Sequence, residues 1–392
     1  MKHLFALSFF LLFVNSIAFS TTINGTVTDA SDGKPLISAS VFIAGTTFGT
    51  STRLDGSFTL NFTPSGSSQV VIAHLGYQTY TKNTSELVME QPLNVQLKIK
   101  ALQLSAVSVV GHDANRKKNM AEFLFCFLGD SEFGKKCTIL NPNVLHLQRR
   151  AIPTKLLQYE LIATADSALI IENKLLGYTI RYTLESFTAS NFGAIFKGYP
   201  LFQDHLSSVK DQEKTQEYRE RAFLGSQMHF FRCLYTKTLQ EEGFNIYKVN
   251  KETNLHMYDN FGLMSDTVFV PEGCKHMVQT TIPLNLYENL YVLDKSAALQ
   301  YNQPFEVRYT LNGEDKSYTK NSVYYNGMSR NMGQQTSIVL LQEGLQIFYP
   351  NGACQNAGNP ITIGFWSFKK VGEIMPWDYQ PPKTAKQVVT LH

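Results

Sequence analysis

The stretch from Ile23 to Tyr77 constrains the fold of this chain more than any other part of the sequence. Short runs of β-branched and aromatic residues follow one another there, and a pair ending in glycine separates each run from the next. Glycine adopts positive φ without steric cost, so such pairs favour tight turns between strands. The spacing predicts a small all-β sandwich built from hairpins. The turn pairs are Asp32-Gly33, Ala44-Gly45, Asp55-Gly56 and Ser65-Gly66.

The motifs of this stretch also follow the order of a known domain. They are Gly25-x-Val27-x-Asp29, Gly33-x-Pro35-Leu36, Gly45-Thr46-x-x-Gly49-Thr50, Asp55-Gly56-x-Phe58 and Gly76-Tyr77. The series resembles the carboxypeptidase regulatory-like domain, a transthyretin-type sandwich of exported proteins in Gram-negative bacteria. The same domain forms the N-terminal extension of TonB-dependent receptors. The resemblance implies an Ig-like or transthyretin-like β-sandwich over residues 21–111 that binds or packs and carries no chemistry.

The start of the chain has the composition of a signal peptide. A basic Lys2 precedes an apolar run, residues 4–14, that is too short to span a bilayer comfortably. Small residues at Ala18 and Ser20 favour cleavage between Ser20 and Thr21, with a retained anchor as the alternative. No later segment is apolar over about 18 residues. We therefore expect an exported mature chain without a transmembrane segment, in the periplasm, at the outer-membrane face or secreted, with peripheral membrane association open to it.

The charge of the chain is nearly balanced, with 35 Lys and Arg against 32 Asp and Glu. A balance of this kind argues against nucleic acid as a partner. Phenylalanine and tyrosine are plentiful and offer stacking surfaces to a glycan or a peptide. We expect an envelope protein or a glycan as the partner, and no pattern in the sequence indicates a cofactor.

The five cysteines, an odd number, leave at least one thiol unpaired. Cys126 and Cys233 lie in apolar helical patterns and are expected to be buried thiols. The favoured disulfide joins Cys274 and Cys354, since both lie in polar or glycine-containing loops of a chain expected to be exported. No C-x-x-C spacing occurs, so neither zinc nor thioredoxin-like chemistry is predicted.

Beyond a polar linker, residues 112–118, the hydrophobic period becomes helical at two places. Phe123 and Phe127 recur at helical spacing before Gly129, and a second helix is predicted from about Asp211 to Glu242. The organisation is thus a signal peptide over residues 1–20, the sandwich, the linker, and a mostly antiparallel α+β domain with two helices over residues 119–392. The chain as a whole is predicted to be mainly β. Strands of the second domain are predicted over residues 156–164, 169–173, 178–187, 192–199, 244–249, 277–282, 290–293, 305–311, 337–342, 345–349 and 361–368.

Two further segments read as extended chain. Residues 102–111 are predicted as the closing strand of the sandwich, and the alternative is that residues 104–110 resemble the docking strand of TonB-dependent receptors. Residues 375–382 contain several prolines and are predicted to pack across the second domain as a closing strand with Trp377 buried.

Motifs of the second half also recur in a familiar order. They are Phe127-Leu128-Gly129-Asp130-Ser131, Lys136-Cys137, Glu172-Asn173-x-x-Leu176-Gly177-Tyr178, Phe223-Leu224-Gly225-Ser226-x-x-His229 and Pro376-x-Asp378-Tyr379. This half resembles a domain of unassigned function that follows the same sandwich in exported Gram-negative proteins. The resemblance implies architecture and location, and it implies no reaction.

The sequence lacks the motifs of the common hydrolases. None of the histidines has Glu three residues later, and neither H-E-x-x-H nor G-x-S-x-G occurs, so a zinc peptidase and a serine hydrolase are not predicted. We expect Ser226 to bond to its own helix and His229 to pack at a helix–sheet contact. Carboxylates among Glu160, Asp166 and Glu172 could serve glycoside hydrolysis only at a suitable separation. No catalytic, cofactor or metal residue is assigned.

These observations favour an exported, non-enzymatic protein with a binding or scaffold role at the periplasmic or outer-membrane face. One alternative is an enzyme that acts on surface glycans or peptides through the second domain. Another is a component of a TonB-dependent receptor.

Cleavage between Ser20 and Thr21 is testable directly, because that junction joins small residues to the end of the apolar run. Edman sequencing of the exported protein should begin at Thr21. An N terminus at Met1 would contradict the prediction.

Overall fold

The computed structural model describes residues 20–64, 66, 68–88, 91–100, 115–152, 159–190, 193–205, 209–249, 282–320, 333–356 and 358–382. Several sequence predictions fall outside these ranges. They are the signal peptide before Ser20, the segment 102–111, most of the strand predicted over residues 277–282, and Cys274.

The described part of the chain is mainly β, which confirms the predicted fold class. No helix within it is long and apolar enough to cross a membrane. The helices are α1 (Arg116–Leu128), α2 (Val209–Phe223), α3 (Gln227–Thr236), α4 (Lys316–Lys320) and α5 (Phe365–Phe368), with 3-10 turns at Thr84–Glu86, Gly134–Lys136, Pro142–Val144, Leu286–Asn289 and Val371–Glu373. The first strands are β1 (Thr21–Asp29), β2 (Ser40–Ile43), β3 (Gly49–Ser51), β4 (Ser57–Phe62), β5 (Gln69–Ala73), β6 (Tyr80–Asn83) and β7 (Leu93–Leu97). The later strands are β8 (Cys137–Ile139), β9 (Leu145–Ala151), β10 (Tyr159–Ala165), β11 (Leu169–Asn173), β12 (Tyr178–Ser190), β13 (Gly193–Asp204), β14 (Phe244–Lys248), β15 (Leu290–Val292), β16 (Ala297–Gln300), β17 (Phe305–Tyr309), β18 (Gln335–Leu341), β19 (Leu345–Phe348) and β20 (Pro360–Gly364).

The N-terminal domain is the predicted sandwich. One sheet has the order β4-β1-β7, in which β7 runs parallel to β1, and the other is the antiparallel sheet β3-β2-β5-β6. Alternate side chains such as Ile23 and Val27 of β1 fill the space between them. At one end the Asp29 carboxylate accepts hydrogen bonds from the Ser31 hydroxyl and the Tyr77 hydroxyl, both at 2.6 Å. This pairing gives the Asp29 and Gly76-Tyr77 motifs a shared structural role.

The sheet β3-β2-β5-β6 is buried on both faces at its centre. Val41 and Ile43 point into the sandwich, whereas Phe42 points outward and is also buried. Val71 of β5 behaves like Phe42, and both pack on Leu201 of β13. Strands covered on both sides read as continuous apolar runs. The runs at residues 41–43 and 70–72 therefore reflect contact with the second domain as well as a sandwich core.

The remainder of the chain is built around two apolar cores. The first lies between α1 and a six-stranded sheet. Five strands of this sheet have the order β8-β11-β12-β10-β9, and the sixth, β13, pairs with β12. Phe123 and Phe127 of α1 enter this core, whereas Phe125 is exposed, so α1 is buried on one face only. The second core lies under the sheets β14-β17-β18-β20 and β15-β16-β19, against α3.

One long helix was predicted from Asp211 to Glu242, and the prediction is wrong. The structure has α2 and α3 with a break at Gly225, whose φ is +72°. Ser226 then starts α3 as its N-cap, because its hydroxyl accepts the backbone N–H of His229. The Gly-Ser pair thus combines a helix-ending residue with a helix-starting one.

The strand predicted over residues 361–368 is right only in its first half. Strand β20 ends at Gly364, whose φ of +91° turns the chain into the short helix α5. The Ser337 hydroxyl accepts the backbone N–H of Trp366 at 3.0 Å and fixes this turn. The apolar residues after Gly364 therefore enter the core from a helix.

The two-sided burial of β5 generates a test. In the full chain, Val71→Thr should lower the free energy of unfolding by about 1–3 kcal/mol, because it places a hydroxyl in an apolar contact. In an isolated fragment of residues 21–111, predicted from the sequence to fold alone, the same change should have little effect, since Val71 is then exposed. Chemical denaturation of both proteins measures this.

Val70→Thr is the matched control, because Val70 points into the sandwich core. It should destabilise both the full chain and the fragment. Equal effects of Val71→Thr in the two proteins would contradict the packing described here.

Candidate functional site at the domain junction

Ser226 and His229 form a structural turn. The Ser226 hydroxyl accepts the His229 backbone N–H at 3.1 Å, and His229 Nδ1 accepts the Gly225 backbone N–H at 3.2 Å. The imidazole lies among the rings of Phe223, Phe244 and Tyr309. This arrangement is the one that the sequence predicts, except that Ser226 stands at a helix start.

Burial holds His229 in its neutral form. Desolvation lowers the pKa of its imidazole to about 3, and the nearby positive charges of Arg232 and Lys369 act in the same direction. Because Nδ1 accepts a hydrogen bond, the ring proton belongs on Nε2. Nε2 lies 3.9 Å from the Glu242 carboxylate.

The carboxylates considered for glycoside hydrolysis do not converge. Glu160 accepts a hydrogen bond from Arg150 at 2.6 Å, and Asp166 lies 2.7 Å from His146 Nε2. Glu160 and Asp166 are six residues apart along β10 and its end, which corresponds to about 20 Å of extended chain. Carboxylate pairs in glycosidases are about 5–9.5 Å apart. Glu172 is paired with Lys174 at 3.6 Å.

The cysteines of the described ranges occupy low-dielectric surroundings. Burial raises the pKa of the Cys126 thiol to about 11 and that of Cys137 and Cys233 to about 12. Burial raises the pKa of Cys354 as well. Its expected partner Cys274 lies outside the described residues, so this disulfide stays a prediction. Within the ranges that the structure covers, no three His, Cys, Asp or Glu side chains group as metal ligands.

The most elaborate constellation joins the sandwich to the second domain at the β2–β3 turn. The Gly45 N–H donates to the Pro200 carbonyl at 2.7 Å, and the Phe202 N–H donates to the Thr46 carbonyl at 2.9 Å. The Trp377 N–H donates to the Gly45 carbonyl at 2.8 Å. Main-chain bonds from two separate segments, β13 and the C-terminal tail, thus hold one turn of the sandwich.

Side chains complete this junction. Both the N–H and the hydroxyl of Thr47 donate to the Asp378 carboxylate, the N–H at 3.0 Å. Gly45 has φ +73°, and a β-carbon there would lie 2.5 Å from Cδ1 and Nε1 of the Trp377 indole. The position therefore needs glycine both for its backbone conformation and for its contact with the indole.

The tail differs from its prediction. Residues 375–380, here called the strap, form no strand, and Trp377 is half-buried against the sandwich. Pro376 lacks a backbone donor and so cannot contribute one to a sheet ladder. The strap crosses between the domains instead of closing the second domain.

Arg232 of α3 fixes the strap from the second domain. Its Nε donates to the Asn351 carbonyl at 2.8 Å, and its two terminal nitrogens donate to the carbonyls of Tyr379 at 2.9 Å and Trp377 at 3.1 Å. The guanidinium also lies 5.1 Å from the Phe223 ring centre. Burial lowers the pKa of Arg232 to about 10, so it remains charged at neutral pH.

A second contact flanks the strap. Gly66 in the β4–β5 loop has φ +125°, and a β-carbon there would lie 2.5 Å from Cβ of Tyr349. Tyr349 precedes Asn351, which Arg232 holds. One arginine therefore positions two of the parts of the second domain that meet the sandwich loops, and β13 is the third.

The Glu172-Asn173 motif supports the chain leading to the strap. The Asn173 side-chain amide donates to the Gly372 carbonyl at 2.9 Å. Gly372 lies close to Gly134, and a β-carbon added to Gly372 would be 2.6 Å from the Cα of Gly134. Burial raises the pKa of the neighbouring Glu373, whose carboxylate lies 3.6 Å from Lys369 Nζ. The motif that contains Asn173 therefore has a structural role.

Comparisons with known proteins identify the sandwich. Residues 23–109 match the family model of the CarboxypepD_reg-like domain. The TonB-dependent receptor SusC of Bacteroides thetaiotaomicron is 34% identical over 109 residues, which are 28% of this chain and 10% of the receptor. The chain thus covers about a tenth of the length of that curated relative. The structure of a 9R-lipoxygenase from Cyanothece PCC8801 aligns over 61% of this chain and 51% of the lipoxygenase chain at 9% identity. Its TM-score of 0.17 is too low to indicate a shared fold.

Replacement of Arg232 tests the clamp. Arg232→Lys should lower the free energy of unfolding by about 2–4 kcal/mol, because a lysine cannot donate in three fixed directions and leaves buried carbonyls unpaired. Arg221→Lys, at an exposed pair with Glu132, should change it by less than about 0.5 kcal/mol. Urea denaturation compares the two, and similar effects would contradict a special role for Arg232.

His229 generates a pH prediction. Its folded pKa of about 3 lies below the unfolded value of about 6.5. The unfolded state binds the proton first as the pH falls, so stability should fall between pH 6.5 and 3, by about 2 kcal/mol from this group at pH 5. His229→Gln should remove that part of the pH dependence.

Met228→Leu changes a buried, non-titrating residue of the same helix and serves as the control, because it should leave the pH dependence of the unmodified protein unchanged. The measurement is the free energy of unfolding from pH 7 to pH 4. An unchanged slope in His229→Gln would show that the imidazole is not held neutral.

Proposed function

We propose that this protein is an exported, non-enzymatic scaffold of the Gram-negative envelope, in which the second domain holds the sandwich in one orientation. The observation that carries the proposal is the junction. Two segments of the second domain bind the same sandwich turn through the main chain, and the outer face of the sheet containing β2 and β5 is covered by β13. A domain that only needed tethering would require none of these contacts.

The similarity to the N-terminal region of a TonB-dependent receptor supports an envelope location. It extends over about a tenth of that receptor, so the activity of the receptor as a whole is not transferred to this chain. The proposed role is that of a binding domain on a fixed support.

The orientation leaves the opposite end of the sandwich exposed. Ile37, Leu75 and Ile99 lie there with 47%, 65% and 59% of their surface accessible. His74 Nε2 lies 3.1 Å from the Ile37 carbonyl, and the Lys100 N–H donates to the Gly76 carbonyl at 2.8 Å, so the three side chains belong to adjoining loops. We propose this far end, defined by Ile37, Leu75 and Ile99, as the surface for an envelope protein partner.

Site-specific photo-crosslinking tests the proposal. The full chain, with its natural N terminus, is expressed in a Gram-negative host, and a photoreactive amino acid replaces either Ile99 or Leu311. Leu311 is the matched control, since it is 63% exposed on the second domain. The expected result is a discrete cross-linked envelope protein from position 99 and none from position 311.

Two results would overturn the proposal. One is retention of the protein in the cytoplasm with its first residues intact. The other is multiple-turnover hydrolysis of envelope glycans or peptides by the purified protein, which would favour the enzymatic alternative.

A further inference from the structure

We propose that the β2–β3 turn of the sandwich is a recognition site for a Trp-Asp peptide segment, and that the strap occupies this site as an exchangeable ligand within the same chain. The inference adds a specific ligand class to the proposed scaffold role and rests on that role only for its biological use. The site consists of Gly45 and Thr47, and its ligand consists of Trp377 and Asp378.

One residue of the turn, Thr47, binds the acidic residue of the ligand, Asp378. Thr47 directs two donors, its N–H and its hydroxyl, at the two oxygens of one carboxylate. Hydrogen bonds to an ionised acceptor are stronger than those between neutral groups. An asparagine in place of Asp378 offers a single acceptor oxygen, so this arrangement selects a carboxylate.

The turn recognises the aromatic residue of the ligand, Trp377, by its shape. Gly45 supplies a bare Cα, and the Trp377 indole occupies the position that a β-carbon would take, at 2.5 Å. The Gly45 carbonyl accepts the Trp377 N–H at 2.8 Å. The turn thus contacts the backbone, the ring and the following carboxylate of a two-residue segment.

The contact has features of a reversible one. Trp377 and Asp378 are half-exposed and the strap has no strand pairing, whereas Leu201 on the neighbouring β13 is buried in a long ladder. Irregular, half-exposed backbone opens at a lower free energy than the strands of a core. Arg232 binds the carbonyls of Trp377 and Tyr379, so the second domain grips a different side of the strap.

A tethered ligand competes at an effective concentration in about the millimolar range. A free peptide should therefore bind weakly to the unmodified protein and measurably once the tethered ligand is removed. A partner that exposes a Trp-Asp segment would enter the site when the strap opens.

The test uses the full chain carrying Trp377→Ala and Asp378→Ala, which empties the site of its own side chains. The probe is a fluorescein-labelled peptide of residues 374–382, and fluorescence anisotropy measures its binding. Saturable binding is expected. A peptide with Asp378→Asn should bind several-fold more weakly, because the amide offers one neutral acceptor oxygen in place of two charged ones. Adding Thr47→Val to the protein should reduce the difference between the two peptides, because valine keeps the backbone N–H and loses only the hydroxyl donor.

Absence of binding by a folded, emptied protein would overturn the proposal, as would equal binding of the Asp and Asn peptides. A dimer of the unmodified protein that exchanges straps between copies, detected by size-exclusion chromatography with light scattering, would overturn occupancy within one chain.

A second measurement applies if the emptied protein does not fold. In the otherwise unmodified chain, Thr47→Val should accelerate hydrogen exchange of the strap while β5 and β13 keep their protection. Unchanged exchange of the strap would overturn the proposal. Peptide binding does not depend on export or on a partner at the far end, so its failure is distinguishable from failure of the proposed function.

Discussion

The guanidinium of Arg232 joins parts of the chain that are far apart in sequence, and the position of the strap at the junction between the domains depends on it. It donates to the carbonyls of Asn351, Trp377 and Tyr379 from a position in the middle of α3. A planar, permanently charged group with several fixed donors suits this task, because each carbonyl lies in a defined direction from it. The loop after β19 and the strap are consequently held at the same place.

The sandwich then meets a surface whose shape is already set. Its β2–β3 turn bonds through the main chain to β13 and to the strap, and Phe42 and Val71 pack on Leu201. Main-chain hydrogen bonds are directional, so they fix orientation as well as proximity. Apolar contact alone, which has no direction, would allow the sandwich to slide. The combination explains how a domain of this kind can point its far end consistently away from the second domain.

Much of the sandwich could be predicted from local sequence, whereas the junction could not. The Asp-Gly and Gly-Tyr motifs specify turns that involve neighbouring residues, so the sequence alone predicts them. The apolar runs at residues 41–43 and 70–72 are uninterrupted, which indicates strands buried on both faces. The prediction of strands alone did not include this second buried face. The pair Gly225-Ser226 also contains a local signal, because glycine favours the end of one helix and serine the start of the next. The strap has no such local signal, because Thr47 and Asp378 are 331 residues apart in sequence.

The same distinction applies to chemistry. The placement of Ser226 and His229 in a structural turn followed from the sequence, since a serine beside a helix start has a backbone partner at hand. The distance between Glu160 and Asp166 could not be predicted from the sequence. It follows only from the structure, which places the six residues along an extended strand. The recurring motifs of the second half indicate no reaction, and the contact of Asn173 with Gly372 shows that one of them supports the chain that becomes the strap.

Amide hydrogen exchange at the junction shows whether the second domain holds the sandwich in one orientation. The N–H groups of Gly45, Phe202 and Trp377 are all donors in bonds between the two domains. If the sandwich is held as described, all three amides exchange more slowly than exposed loop amides in the full chain, with similar opening free energies for Gly45 and Phe202 and a lower one for Trp377 in the strap. If the two domains move independently, the three amides exchange as fast as exposed loop amides while those inside β5 and β12 stay protected, and the account is contradicted.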